Sequence, residues 1–242
     1  MMYRHFALIY DELMANAPYD KWVDFVQQSC HRYNVSRKKV LELGCGTGTL
    51  TALLSQAHFE MTGVDVSAEM LAIAREKAKH ARFFEQNMTE LDVGEQFDIV
   101  LIFCDSLNYL TSEADVIATF ERVYDHLTSD GLLLFDVHSL YKVHSIFKDQ
   151  TFAYESDSIS YIWDCYVDSN NYVEHELTFF VKREDSLYER FDELHVQKTF
   201  SSHTYEQMLS KTGFTLLDIF ADFQCTVPTE TSKRIFFAAR KN

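Results

Sequence analysis

The run Val40-Leu41-Glu42-Leu43-Gly44-Cys45-Gly46-Thr47-Gly48 constrains this chain more than any other stretch. An apolar segment reads as a buried strand, and three glycines on alternate positions then form a turn. Leu50, Leu53, Leu54 and Ala57 recur at i, i+3, i+4 and i+7, so a helix opens directly behind it. Glycine lacks a Cβ and tolerates positive φ, so such a turn lets a ligand come close to the backbone. The first N–H groups of the helix have no intrahelical partner and can face that ligand. A strand–turn–helix unit of this kind belongs to a parallel α/β sheet. The spacing narrows the ligand further. Dinucleotide turns read G-x-G-x-x-G, and Thr49 stands where their third glycine belongs; no G-x-x-x-x-G-K-[ST] phosphate loop occurs either.

A second signal follows at a fixed distance. Glu60 to Asp65 reads as another strand with its acid at the carboxyl end, and Asp65 lies 21 residues beyond Gly44. Acids that meet ribose hydroxyls in this class of sheet sit about 20 residues past the first glycine, and a carboxylate accepts from both hydroxyls at once. The plainer alternative is an acid closing a strand before a helix capped by Ser67. Together, E-x-G-x-G-x-G and the later acid resemble motif I and the ribose acid of the class I S-adenosylmethionine-dependent methyltransferases. The resemblance implies an α/β, Rossmann-like fold with a seven-stranded sheet, and S-adenosyl-L-methionine as cofactor. It implies cofactor contacts at Gly44, Cys45, Gly46 and Gly48, and at Asp65 and Val66 beside the ribose. Glu42 suits this ligand on chemical grounds, because a carboxylate repels a pyrophosphate but attracts an ammonium and a sulfonium.

The rest of the chain fits the same architecture. Tyr19, Trp22, Val23, Val26, Cys30 and Tyr33 mark an amphipathic helix behind Pro18, with a shorter helix ahead of it over residues 6–14. In the resembling family two such helices form a lid over the cofactor. The run Phe6-Ala7…Tyr10-Asp11…Leu13-Met14…Pro18-Tyr19…Trp22 also resembles an uncharacterised bacterial family of small-molecule-type methyltransferases of similar length. Further on, Met70, Leu71, Ala74 and Ala78 share a helix, residues 82–84 a short strand, and residues 97–103 an apolar strand. Ser112 opens a capping box before Val116, Phe120, Val123 and Leu127, a helix ended by Asp130-Gly131. A fifth strand covers residues 132–137. Strands this apolar, alternating with helices, belong to a parallel sheet covered on both faces.

After about residue 150 the period changes to two. Ile159, Tyr161, Trp163, Cys165 and Val167 alternate with polar residues, then Val173, His175, Leu177, Phe179 and Val181 across an Asp168–Asn171 turn. A third run spans roughly 188–200, so three antiparallel strands are predicted. A helix bearing Tyr205, Met208 and Leu209, closed by Gly213, and two last strands resume the core pattern. The chain therefore divides into a cofactor-binding core, residues 1–149 and 202–242, and an antiparallel β insertion on the substrate side, residues 150–201.

In an open parallel sheet the ligand lies beyond the carboxyl ends of the strands, which adds residues to the candidate site. After the third strand come Asn87 and Met88, where the family often has an acid for the adenine amino group; the amide oxygen of Asn87 also accepts. After the fourth come Cys104 and Asp105, beside the methionine part of the cofactor in the family. Asp105 either pairs with its ammonium or caps a turn. After the fifth comes His138, which either takes a proton from the acceptor near neutral pH, orients the acceptor, or is structural. Tyr3 and Tyr10 offer aromatic faces to a sulfonium. In the insertion, His175, Glu176, Glu193 and His195 sit on strands that can face the acceptor, and the acidity of that segment hints at an amine-bearing one. His175-Glu176 lacks metal-ligand spacing, so no metal is expected.

Lys and Arg number 22 against 37 Asp and Glu, a net charge of −15 that argues against a nucleic-acid partner. The five cysteines are scattered without a C-x-x-C pair, no signal peptide opens the chain, and no run reaches the ~20 apolar residues of a membrane span. A cytoplasmic location fits these features. The reading is a methyltransferase acting on a small-molecule acceptor, through an N or O nucleophile, by in-line displacement. The alternatives are a non-catalytic S-adenosylmethionine-binding regulator, a protein or RNA methyltransferase and, against the glycine spacing, a nicotinamide-dependent oxidoreductase. Nothing in the residues names the acceptor or the oligomeric state.

Overall fold

Consecutive residues of the central strands go to opposite cores. Leu41, Val100, Leu133 and Phe237 join one apolar cluster with Val116, Phe120 and Val123. Val40, Ile99, Leu132 and Phe236 join another with Trp22, Phe25, Leu50 and Leu54. Strands buried on both faces need helices on both sides, so these residues dictate a helix–sheet–helix sandwich.

The computed structural model describes the backbone of residues 3–241 and the side chains of residue 7 and residues 9–241. In chain order the elements are α1 (Tyr3–Leu13), α2 (Tyr19–Arg32), β1 (Lys39–Leu43), α3 (Thr49–Gln56), β2 (Glu60–Asp65), α4 (Ala68–Lys77), β3 (Arg82–Glu85) and β4 (Phe97–Ile102). There follow α5 (Glu113–His126), β5 (Leu127–His138), β6 (Gln150–Glu155), β7 (Ile159–Val167), β8 (Tyr172–Lys182), β9 (Tyr188–Lys198), α6 (Ser202–Lys211), β10 (Phe214–Ala221) and β11 (Arg234–Lys241). Seven strands form one sheet in the order β10-β11-β5-β4-β1-β2-β3. Only β11 runs against its neighbours, β5 and β10. This is the Rossmann-like sheet that the sequence leads one to expect.

A second sheet, β6-β7-β8-β9, is antiparallel throughout. It has four strands where the sequence predicts three. The extra strand, β6, is an edge strand with five of its six residues exposed, so no apolar alternation marks it. A second correction concerns α5, which stops at His126 and not at Asp130-Gly131. Leu127 already pairs with Phe97 of β4, and the bend at Asp130 (φ +63°) falls inside β5, where the register shifts. The expected N-caps are present: Ser67 Oγ accepts from the Met70 N–H at 3.2 Å and Ser112 Oγ from the Asp115 N–H at 3.1 Å.

Two sets of contacts bring α1 and the second sheet over the carboxyl ends of the core strands. Asp11 of α1 accepts from Thr47 Oγ1 at 2.6 Å and from Lys77 Nζ at 2.7 Å, and Glu12 accepts from Ser158 Oγ in the β6–β7 turn. Asn108, after β4, donates to the Lys198 carbonyl at 2.7 Å, and Thr199 Oγ1 donates to the His138 carbonyl at 2.5 Å. Among the described residues no helix is long and apolar enough to cross a membrane.

Candidate active site

The three glycines of the β1–α3 turn all have positive φ, at +70°, +52° and +73°. They serve two different purposes. A Cβ on Gly44 would lie 2.4 Å from Ser106 Oγ, and one on Gly48 would lie 2.8 Å from the Ala74 Cβ, so these two let neighbouring elements close on the turn. A Cβ on Gly46 would meet nothing within 4 Å, because open space lies beside it. The turn also uses its own donors. Gly44 and Cys45 N–H groups bond the Val64 carbonyl at 2.8 and 3.0 Å, Gly46 N–H bonds Asp65 Oδ2 at 2.8 Å, and Gly48 N–H bonds the Cys45 carbonyl at 2.9 Å. These four N–H groups are spent within the turn and on β2; the donors expected to face a ligand are the first N–H groups of α3.

A cavity of about 370 Å³ lies against this turn. Glu42, Gly44, Cys45, Gly46, Asp65 and Val66 line it from β1 and β2, Asn87, Met88 and Cys104 from the ends of β3 and β4, and Tyr10 from α1. Two expected residues do not line it: Gly48 sits behind the wall against α4, and Asp105 faces a neighbouring space. The Tyr3 side chain lies outside the described residues. Asp65 Oδ1 accepts from the Ser67 N–H at 2.9 Å and Oδ2 from Gly46, which fixes the carboxylate and leaves a lone pair on each oxygen. Burial raises its pKa, and these N–H bonds oppose that rise. Glu42 is buried with Thr51 Oγ1 donating at 2.5 Å. Burial pushes its carboxyl up to about 7, the Thr51 bond works against this, and the charge of Asp65 adds to it. Asn87 Oδ1 already accepts from the Thr89 N–H at 3.0 Å, which orients the amide at the cavity wall.

A second cavity of about 270 Å³ adjoins the first, and Tyr10, Cys104, Tyr109 and His195 line both. Phe147, Tyr161, Trp163 and Phe179 wall it, and Asp105, His138, Lys142 and His175 bring polar groups to it. Of the insertion residues read from sequence, His175 and His195 thus reach the chamber. Glu176 does not, being on the exposed face of β8, and Glu193 is buried without lining the chamber. The acids that hinted at an amine-bearing acceptor therefore stand away from this space. Tyr109 Oη and His195 Nδ1 lie 3.2 Å apart at the junction of the chambers.

Beneath the junction is a charged cluster whose cation the sequence did not single out. Arg234 Nη1 donates to Asp105 Oδ1 at 2.5 Å and to Asp136 Oδ1 at 2.7 Å, and Nη2 reaches Asp105 Oδ2 at 3.1 Å. Trp22 Nε1 donates to Asp136 Oδ2 at 2.6 Å, and the Asp105 N–H donates to Asp136 Oδ1 at 3.0 Å. Cys104 and Asp105 both have positive φ, +55° and +65°, a strain that this network holds in place. Burial raises Asp136. Burial acts the same way on Asp105, but Arg234 overrides it and holds that carboxyl well below its usual range. His138 Nδ1 sits 3.1 Å from Asp105 Oδ1 and 3.1 Å from Lys142 Nζ. Burial pushes His138 down to about 3, with Asp105 opposing and Lys142 adding, so the ring is neutral at pH 7. It titrates far below the neutral range expected of it. The sequence marks Tyr19 only as a helix residue and does not single out Tyr109, Lys142 or Arg234, although Lys142 follows His138 by four residues. Among the described residues no group of three or more His, Cys, Asp or Glu is placed to hold a metal ion.

Comparison with known proteins agrees with this geometry. The profile of a methyltransferase domain family matches residues 40–131. A methyltransferase-family protein of Geobacillus sp. (strain WCH70) is 52% identical over 247 aligned positions, covering 100% of both chains. The solved structure of an S-adenosylmethionine-dependent methyltransferase from Clostridium acetobutylicum ATCC 824 superposes with a TM-score of 0.89 at 31% identity, covering 99% of this chain and 98% of that one. CalS10, an amino pentose methyltransferase from Micromonospora echinaspora solved with S-adenosylmethionine bound, shares the fold at 16% identity and a TM-score of 0.79, covering 97% of each chain.

Proposed function

We propose, for a chain that belongs to the class I S-adenosylmethionine-dependent methyltransferases, that the first cavity holds the cofactor and the second a small-molecule acceptor. The observation that carries this reading is the junction, where two cavities share Tyr10, Cys104, Tyr109 and His195. The residues present fit the cofactor. Gly46 leaves space where any side chain would intrude, and Asp65 holds two fixed oxygens for ribose hydroxyls. Glu42 offers a negative charge to the ammonium and sulfonium, and Tyr10 and Tyr19 bring aromatic rings to the same cavity. Asn87 and Met88 stand for the adenine end.

When bound, the cofactor supplies a methyl group already activated on sulfur. The protein's tasks are then to align the acceptor with it and to exclude water. Helix α1 covers both chambers through Tyr10, while Leu13 and Met14 close the second. His138 and Lys142 hold the acceptor from the floor, and His195, at the junction, is placed to take its proton. The second cavity is smaller than the ~300–1,000 Å³ of pockets for drug-sized ligands, which favours a small acceptor over a protein segment. Net charge disfavours RNA. A cytoplasmic setting, read from the cysteines, belongs to the same proposal.

The test is to incubate the protein with methyl-labelled cofactor and a cell extract and to identify the labelled product by mass. A small labelled product is expected. Tight cofactor binding with no transfer to anything would favour the regulatory alternative. Asp65→Ala should lose about 1.5–3 kcal/mol of cofactor affinity, tenfold or more, by calorimetry; unchanged affinity would remove the ribose assignment. His138→Ala should leave cofactor affinity intact and lower kcat, by less than the ~10²-fold of a true base because its ring is a weak one. A wild-type kcat in that variant would make His138 purely structural.

A further inference from the structure

We infer that the second chamber selects an acceptor carrying a carboxylate on a flat, apolar body, with Lys142 as the group that reads the charge. This rests on the proposed function and specifies its substrate class. Lys142 is the sole Lys or Arg among the described residues lining the chamber, and Asp105 is the sole carboxylate. The two are not equivalent. Asp105 is already gripped through both oxygens by Arg234, at 2.5 and 3.1 Å. Lys142 forms no ion pair with a carboxylate of the described residues; its ammonium lies 3.1 Å from the neutral His138 ring and 5.0 Å from the centre of the Phe147 ring. An ammonium has three rotatable donors, and a half-buried one gains from an anion that completes them. Arg234, also buried, is committed to two carboxylates and has no such capacity.

The walls set the body of the ligand. Phe147, Tyr161, Trp163 and Phe179 present rings, and Phe152 packs at a tilt against Trp163, ring centres 4.9 Å apart. Aromatic walls favour flat apolar surfaces. The ammonium feels the charges of Asp105 and Asp136 but bonds neither, so its donors are open to one carboxylate. A phosphate, with about two charges at pH 7, would be left half unanswered beside Asp105.

The probes are benzoate, benzamide, benzylamine and phenyl phosphate, added to the full-length protein loaded with S-adenosylhomocysteine. Trp163 lines the chamber, and the chain has 2 Trp in all, so indole fluorescence reports occupancy, with calorimetry as the second readout. Benzoate should bind tenfold or more tightly than benzamide. Lys142→Met should abolish that preference, leaving affinity for S-adenosylhomocysteine unchanged, and Lys142→Arg should retain part of it. Equal binding of benzoate and benzamide, tighter binding of benzylamine or phenyl phosphate, or a preference that survives Lys142→Met would each overturn the inference. Failure of the wild type to bind S-adenosylmethionine or S-adenosylhomocysteine would instead overturn the function on which it rests.

Discussion

Replacing Arg234 with methionine should destabilise the protein by about 3–5 kcal/mol, the cost of leaving buried charges without their partner. The guanidinium is 14% exposed and answers Asp105 and Asp136, of which Asp136 is fully buried. Its removal strands both carboxylates, and the strained backbone at Cys104 and Asp105 loses its anchor. Denaturant titration measures the change. Arg32→Met is the control, because the Arg32–Asp218 pair lies at the surface, with side chains 49% and 31% exposed. Such pairs contribute about 0–1 kcal/mol. Equal losses in the two variants would show that the Arg234 cluster is no more than another surface pair. Adding Asp136→Asn to Arg234→Met should recover part of the loss, since one stranded charge disappears.

Glu42→Gln should change the pH dependence of stability by about 3 kcal/mol. The folded carboxyl titrates near 7 and an unperturbed one near 4.5. At low pH both states are protonated and burial of this group costs nothing on that account. Between those pKa values the folded protein holds a proton that the unfolded chain has released, so stability falls as pH rises, at about 1.4 kcal/mol per unit. Above pH 7 the full loss is present. Glutamine carries no charge, and its amide oxygen can still accept from Thr51. The difference in unfolding free energy, variant minus wild type, should therefore climb between about pH 4.5 and pH 7 and level off above; a flat difference would mean that Glu42 ionises normally. The same linkage reaches the proposed ligand: a cation bound beside Glu42 favours the ionised form, so its binding should release protons near pH 7.

What was legible in the sequence was local. Gly44, Gly46 and Asp65 announce themselves because strand, turn and acid fall within a few residues of one another, or at a spacing set by one βαβ unit. Period-two alternation likewise put His175 and Glu176 on opposite faces of β8. It could not say which face looks inward, and that decision, made by packing against α1 and the core, left Glu176 outside the chamber. Strand β6 was missed because an exposed edge strand has no burial to write into its sequence. Arg234 was missed for a different reason. Its partners lie 98 and 129 residues away, and only the pairing of Arg234 opposite His138 across β11 and β5 brings it beneath the junction. Tyr109 and His195 meet the same way, through the docking of one sheet on another.

That placement of β11 sets an order of events. Among the described strands it comes latest in sequence, yet it sits inside the sheet between β5 and β10. On a ribosome, residues through β5 can emerge and build the glycine turn, Glu42 and Asp65 while Arg234 is still unsynthesised. Asp105 and Asp136 must wait, like charges facing each other with no cation between them, until β11 slots in. The floor under the junction is thus completed only once β11 is in place, so a nascent chain stopped short of β11 would carry Glu42, Asp65 and the glycine turn but lack the cation that joins Asp105 to Asp136.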